Sequence, residues 1–484
     1  MVPEGLEKQP LTNIVASVVS FGFNCVRLTW ATYMYTRNDY SNLTIAQSLD
    51  KFGLNDAKAG FAKNNPDLLQ LTGIGAQQVV VRALGAQNVV VILDNHLSLP
   101  QWCCSGNDGN GFFGDTHFDP NEWILGLTLV ARQYKNNPTV VGMSMRNELR
   151  GSRSNEDDWY KYMEQGANSI HNENPDLLIV VSGLRSDTNL AFLKKRPFGA
   201  NVGNKLVFEA HWYPFGESYN NWLNKTNQFC GTRTGWFNGQ SGFLVDGGKP
   251  FPLFLSEFGI DQRGDDEMGD RYLNCLLAVA AEKDLDWAWW ALQGSYMLRQ
   301  GKIEMEEFYG NLDFNWSLPR NPTIQKKLQF LQHVSQDPNS KKPTSYIMYH
   351  PQSGNCVHAS RNLIRLGDCN SSSRWNHDGD GSPIRLASTN NLCLLVTREG
   401  GTATLKGDCT SPRAMWRSVS GSRLHLAANG GQGMGDLCLD GTSLESSSRV
   451  LTKKCLCLGK DSKDLPTCPD NPQVQWFKLV PTNT

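Results

Sequence analysis

Six short apolar runs end on side chains that carry acid, base or sugar-stacking chemistry. They are "CVRLTW" with Arg27, "LDNH" with His96, "RNE" with Asn147 and Glu148, "HWY" with His211 and Tyr213, "SEFG" with Glu257, and "WAWW" with Trp290. A buried strand that stops at a charge is explained if its end faces a pocket rather than the core. Two carboxylates, an amide, two imidazoles, a guanidinium, a phenol and an indole drawn together suit glycoside hydrolysis. In that reaction one carboxylic acid protonates the leaving oxygen, and a second carboxylate attacks the anomeric carbon or activates water. Glu148 and Glu257 are the candidate pair. Aromatic faces stack on sugar C–H surfaces, which makes Trp30, Trp102, Trp212, Trp236 and Trp290 candidate platforms.

Other chemistries lack their residues here. The chain has no HExxH, no GxGxxG after a strand, no GxSxG elbow, and no Cys/His spacing suited to zinc in this part, so no metal or cofactor is expected. Asp187, Glu209, Asp261 and Asp265 are rival carboxylates. They fall within a strand or in loops away from the run ends, and they read as solvated or structural.

The elements that must position these residues alternate from residue 11 to about 335. Seven runs, 24–30, 88–96, 140–148, 177–184, 206–213, 252–259 and 286–292, are apolar on both faces, as parallel strands under helices are. Amphipathic segments such as 67–86, 121–136, 157–172 and 268–283 separate them. Repeated β-α units with polar residues at the C-terminal strand ends predict a (β/α)8 barrel, whose active site opens at that end. Seven strands are counted where a closed barrel has eight, and the chain opens on the helix-like "PLTNIVASVVSFG". The expectation is that the first strand, with a secretion signal ahead of it, is missing from this chain.

Net charge is −1 over 484 residues, and no long basic run is present, which argues against nucleic acid or an anionic membrane as partner. No apolar run approaches the ~18 residues that span a bilayer. Thirteen cysteines, eight of them from Cys356 onward, suit an oxidised, secreted protein. Sequons at Asn42, Asn224, Asn315 and Asn370 point the same way. An odd cysteine count leaves at least one thiol outside the internal pairs. The expected location is the secreted space or cell wall, as a monomer.

Past the polar link "SQDPNSKKPTS" helical periods vanish, and short strands separated by Gly, Ser and Asn take over. "NCVHAS…LGDC…SRW", "LCLLVT…LKGDC…AMW" and "LCLDGT…LTKKC…VQW" repeat a Cys, Cys, Trp pattern three times, which predicts an all-β trefoil. The repeats favour the pairs Cys356–Cys369, Cys393–Cys409, Cys438–Cys455 and Cys457–Cys468, although sequence alone does not fix connectivity. The expected domains are an N-terminally truncated catalytic barrel at 1–335, a linker at 336–344 and the trefoil at 345–484.

Over nearly the whole chain these motifs resemble family 5 glycoside hydrolases, a retaining group on a (β/α)8 barrel. More narrowly, they resemble plant members with a C-terminal ricin-B-like domain, including the conifer pollen cellulase allergens. The resemblance implies Glu148 as acid/base and Glu257 as nucleophile, with Asn147 on the sugar 2-hydroxyl. It implies Arg27 and Tyr213 as supports of the nucleophile, His96 and His211 as lining of the cleaved subsite, and Trp290 as its platform; Trp30 and Trp102 are further substrate-binding candidates. A nucleophile must stay ionised, so Glu257 needs Arg27 and a phenol nearby. The acid Glu148 must hold a proton near working pH. The C-terminal part resembles ricin-B-type lectins but departs from them. Ser373, Ala414 and Val474 stand where the Gln-x-Trp signature has Gln, and His358 and Leu395 replace the sugar-gripping acid of repeats one and two. Only Asp440 is left as a candidate lectin residue.

The expected activity is that of a retaining endo-β-1,4-glycanase on plant-wall glucan. Alternatives are the same chemistry on mannan, xylan or mixed-linkage glucan, transfer to a sugar acceptor, or a catalytically weak carbohydrate-binding protein.

Overall fold

Seven parallel strands follow one another through a single sheet: β1 Cys25–Ala31, β2 Val90–Leu97, β3 Val140–Ser144, β4 Leu178–Val181, β5 Leu206–His211, β6 Leu253–Phe258 and β7 Asp286–Trp289. In this computed structural model, residues 3–264, 266–360, 363–389, 391–431, 433–442 and 448–484 are described. Each strand pairs with the next in parallel register, Arg27 beside Ile92, Asp94 beside Ser144 and Phe208 beside Leu253. The sheet curls into a nearly closed barrel of the (β/α)8 type. Among the described residues β1 and β7 share no ladder. Phe23, just ahead of β1, meets Trp287 of β7 edge to face at 5.9 Å.

Two compact units account for the chain. The first comprises 1–213, 237–263 and 286–321 and holds all seven barrel strands. Its helices begin where the sequence supplies caps. Asp119 accepts the Glu122 N–H at the start of Pro120–Gln133, with proline in the first turn. Asn155 accepts the Asp158 N–H at the start of Glu156–Glu173, and three acidic residues follow it against the helix dipole. Both helices anchor strand ends through an indole. Trp123 Nε1 donates to the Met145 carbonyl at 2.9 Å, and Trp159 Nε1 donates to the Ser182 carbonyl at 2.9 Å. Gly166 makes the close approach possible, since a Cβ there would lie 2.7 Å from the Trp123 ring. The turn carrying Asn147 and Glu148 is therefore tied to a packed, fully buried indole.

The second unit comprises 214–236, 264–285 and 322–484. From Ser345 to Thr482 its regular elements are short strands and 3₁₀ turns. The first strand of this all-β region, Ser345–His350, pairs antiparallel with the last, Lys478–Thr482, bringing its two ends together. Trp375 and Trp416 are fully buried in its core with Ile364, Leu394, Leu437 and Phe477. Disulfides join Cys356 to Cys369, Cys393 to Cys409, Cys438 to Cys455 and Cys457 to Cys468. A further bridge, Cys230–Cys275, ties two helical segments of the same unit. Trp476 donates its indole N–H to Asn227 Oδ1 at 2.9 Å, so those helices and the all-β region share hydrogen bonds. Cys25 remains outside the disulfides, with burial pushing its thiol up to about 12. No described helix is long and apolar enough to cross a membrane.

Candidate active site

Arg27, on the third residue of β1, organises the mouth of the barrel. Its Nη1 donates to Glu257 Oε1 at 2.8 Å and its Nη2 to Asn147 Oδ1 at 2.9 Å. Asp94 Oδ1 lies 3.1 Å from Nη2, and Glu209 Oε2 lies 3.8 Å away. Burial opposes the charge on this guanidinium, but the surrounding carboxylates hold its pKa above the ordinary arginine value. Glu257, on β6, also receives the Tyr213 hydroxyl at 3.2 Å. One carboxylate is thus held by a cation and a phenol.

Glu148 stands on the opposite side of His211. It follows β3 by four residues and adopts φ 48°, a left-handed conformation that turns its side chain toward the mouth. Its own N–H is capped by Asp187 Oδ2 at 2.9 Å. His211 Nδ1 lies 3.2 Å from Glu148 Oε1 and 3.7 Å from Glu257 Oε2, and its Nε2 lies 3.6 Å from Asp187 Oδ2. Oxygens of Glu148 and Glu257 and a His211 nitrogen all fall within 4.8 Å of one another.

Protonation follows from these distances. Burial disfavours a charged His211, yet Glu257, Glu148 and Asp187 raise its pKa from 6.5 to about 10. For Glu148 burial works upward, but the hydrogen bond and charge of His211 bring the carboxyl below its ordinary value. Both directions favour a charged His211 one hydrogen bond from an ionised Glu148 in the unliganded site, whereas an acid role for Glu148 needs its proton in the complex. Asp187 is pushed well up by burial, with Glu209 and Glu148 adding to it against the charge of His211. Glu209 is raised as well, burial first, despite Arg27.

Asp187 and Glu209 also correct the reading of them as residues away from the site. Both are fully buried at it, and Ser144 Oγ donates to Glu209 Oε1. Glu209 was findable, because residues i and i+2 of a strand face the same way and His211 points inward. Asp187 left no such signal. It arrives through Arg185, Ser186 and Asp187, three consecutive residues with φ between 54° and 57°. Asp261 pairs instead with Arg263, and Asp265 lies outside the described residues.

His96 gives Nδ1 to Asp94 Oδ2 at 2.7 Å and stacks its ring on Trp290, centroids 5.6 Å apart and planes 8° from parallel. Trp102 is half-buried, with the Arg299 guanidinium 6.0 Å from its ring centroid. Trp30 is a correction. It is fully buried and packs edge to face on Tyr35, because it is one step out of phase with inward-facing Arg27 and Thr29. Trp212, between inward-facing His211 and Tyr213, is buried against Phe237 for the same reason. Asp440 is corrected too. It is 1% exposed, and its oxygens take the Thr442 N–H, Gln475 Nε2 and Lys453 Nζ, which leaves no carboxylate face for a sugar.

Arg146, fully buried, fastens the loop after β2 to this turn. It donates to Asn95 Oδ1, Ser98 Oγ and the Asn110 carbonyl and lies over the Phe118 ring. Arg150 reaches the Ser105 and Glu148 carbonyls and Asp108.

Residues 5–295 match the family described as cellulase (glycosyl hydrolase family 5). A glycosyl hydrolase 5 family protein of Chamaecyparis obtusa is 42% identical over 495 residues, covering 100% of this chain and 87% of its own length. An endoglucanase of Paenibacillus polymyxa is 23% identical over 305 residues, 60% of this chain and 70% of that protein. Among solved structures, a hyperthermophilic endocellulase of Pyrococcus horikoshii aligns over 69% of this chain and 89% of its own, with TM-score 0.54 and 19% identity. The catalytic domain of the major endoglucanase of Xanthomonas campestris aligns over 68% and 89%, with TM-score 0.53 and 22% identity. These two likenesses concern the fold.

Proposed function

The chain belongs to the cellulase family of glycosyl hydrolases, family 5, and from that premise and the site geometry we propose that it is a retaining endo-β-1,4-glucanase acting on plant-wall glucan. One observation carries the reading: a Glu148 oxygen and a Glu257 oxygen lie within 4.8 Å, bridged by His211. Retaining enzymes hold their carboxyls about 5–5.5 Å apart, whereas inverting ones leave about 6.5–9.5 Å for a water.

In the proposed double displacement, Glu257, held in place by Arg27 and Tyr213, attacks the anomeric carbon. The glycosidic C–O bond breaks, and Glu148 gives the leaving oxygen a proton supplied through Nδ1 of His211. Water then attacks the glycosyl ester, Glu148 takes its proton, and Glu257 departs as carboxylate. Asn147, aligned by Arg27, is the proposed partner of the 2-hydroxyl, and Trp290 and His96 form the proposed stacking wall. We further propose that the catalytic domain spans 1–335, that 345–484 is a ricin-B-like β-trefoil serving as a folded module, and that the disulfides fit secretion to the cell wall.

Reducing-end release from β-1,4-glucan, mannan, xylan and mixed-linkage glucan measures substrate choice, with glucan expected to lead. Proton NMR of early cello-oligosaccharide products is expected to show the β anomer first. The α anomer first would overturn retention, and no release from any of the four would overturn hydrolysis.

A further inference from the structure

Beside Asn147 the loop after β2 sets two adjacent sulfurs into the cleft. Cys103 Sγ and Cys104 Sγ each lie 3.7 Å from Asn147 Nδ2, and the structure joins them as a vicinal disulfide. Both residues are half-buried, with part of each open to the cleft. Their sulfurs and a ring nitrogen of His96 fall within 4.8 Å of one another. His96 is oriented as metal-bound imidazoles commonly are: Asp94 takes Nδ1 at 2.7 Å, which leaves Nε2 to carry the lone pair. The loop is also built to stay in place. Asn110 Oδ1 accepts the N–H groups of Ser98 and Leu99, Asp108 accepts the Ser105 and Asn110 N–H groups, and Arg146 and Arg150 hold the rest.

We propose that His96, Cys103 and Cys104 form a redox-gated site for a soft divalent cation, of the zinc or cadmium class, in the wall of the hydrolytic cleft. In the disulfide form the sulfurs have no thiolate to offer. Two equivalents of a small thiol reduce the bond, giving two cysteine thiols and one external disulfide. The cation then displaces two protons and takes a sulfur, sulfur, nitrogen ligand set, the type that borderline and soft metals favour. Bound there, it sits against His96 and the Asn147 amide, and hydrolysis stops. The same dithiol condenses with a trivalent arylarsine oxide, forming two As–S bonds and releasing water.

The test uses the full chain, oxidised or treated with a small dithiol and desalted without oxygen. Cadmium is the probe, read by thiolate-to-cadmium absorbance and by hydrolysis; phenylarsine oxide is a second probe. The reduced protein is expected to show the absorbance and lose at least about tenfold of its rate, and the oxidised protein to do neither. Cys103→Ser/Cys104→Ser, compared with and without cadmium after the same treatment, is expected to show no change. Cys103→Ser alone should weaken cadmium binding at least about tenfold. Equal inhibition of the oxidised protein or of the double variant would overturn the site. So would reduction to two thiols without a cadmium band. The absorbance is independent of the glucanase reading, so the two fail separately.

Discussion

His211 stands between the two glutamates, its Nδ1 3.2 Å from Glu148 Oε1 and 3.7 Å from Glu257 Oε2. One imidazole nitrogen therefore faces both carboxylates, with the hydrogen bond on the Glu148 side. Of these two glutamates, Arg27 and Tyr213 hydrogen-bond Glu257 and not Glu148.

The two glutamates should be separable by a small nucleophile. With an aryl cello-oligosaccharide, azide is expected to rescue Glu148→Ala and give a glycosyl azide of retained configuration, since azide replaces the missing base in the second step. Glu257→Ala is expected to yield the inverted azide instead. Product NMR reads the outcome; the reverse pattern would exchange their roles.

Stability should carry the same signature against pH. His211 titrates higher in the folded chain, so its contribution is complete below 6.5 and is lost as pH rises toward about 10. Glu148 titrates lower, so its contribution is present above 4.5 and is lost as pH falls. The gap in melting temperature between the native chain and His211→Gln should be widest between these two limits and close toward pH 10. A gap that grows with alkaline pH would place a neutral imidazole in the folded protein.

Asp187 is pushed well up by burial and caps the Glu148 N–H, so a neutral acceptor should replace it. Asp187→Asn is expected to keep the melting temperature and hold kcat within about tenfold. Asp187→Ala strands a buried donor at a cost of about 1–3 kcal/mol, and freeing the left-handed Glu148 should lower kcat further than KM changes. Thermal melts and steady-state kinetics of the pair decide it; equal losses would mean that the charge, not the hydrogen bond, is what matters.

In the all-β region, Asp440→Ala should act on stability alone. It leaves the Thr442 N–H without its acceptor and Gln475 Nε2 with the Lys454 carbonyl alone, for about 1–3 kcal/mol, while pull-down by wall polysaccharides should be unchanged. Lost binding at an unchanged melting temperature would restore Asp440 as a sugar ligand.

Much of this site was legible before any coordinates. Strand length and polar run ends located Arg27, His96, Asn147, Glu148, His211, Tyr213, Glu257 and Trp290, because a parallel barrel presents all its C-terminal ends to one opening. Side-chain alternation was equally available. Followed strictly, it would have kept Glu209 at the site and removed Trp30, since one residue of phase exchanges the barrel interior for the packed layer outside. Position along the chain could not reveal Asp187, which a left-handed turn swings under Glu148, or the Arg146 and Arg150 bonds that hold Cys103 and Cys104 beside Asn147. Nor could it place the proton. Ionisation depends on distances of 2.8 to 3.7 Å among buried groups from five different strands and turns, where Coulomb energy and desolvation change steeply with position. The residue types of the site were thus set by the sequence alone, whereas the protonation state of each was decided only when the barrel brought them within reach of one another.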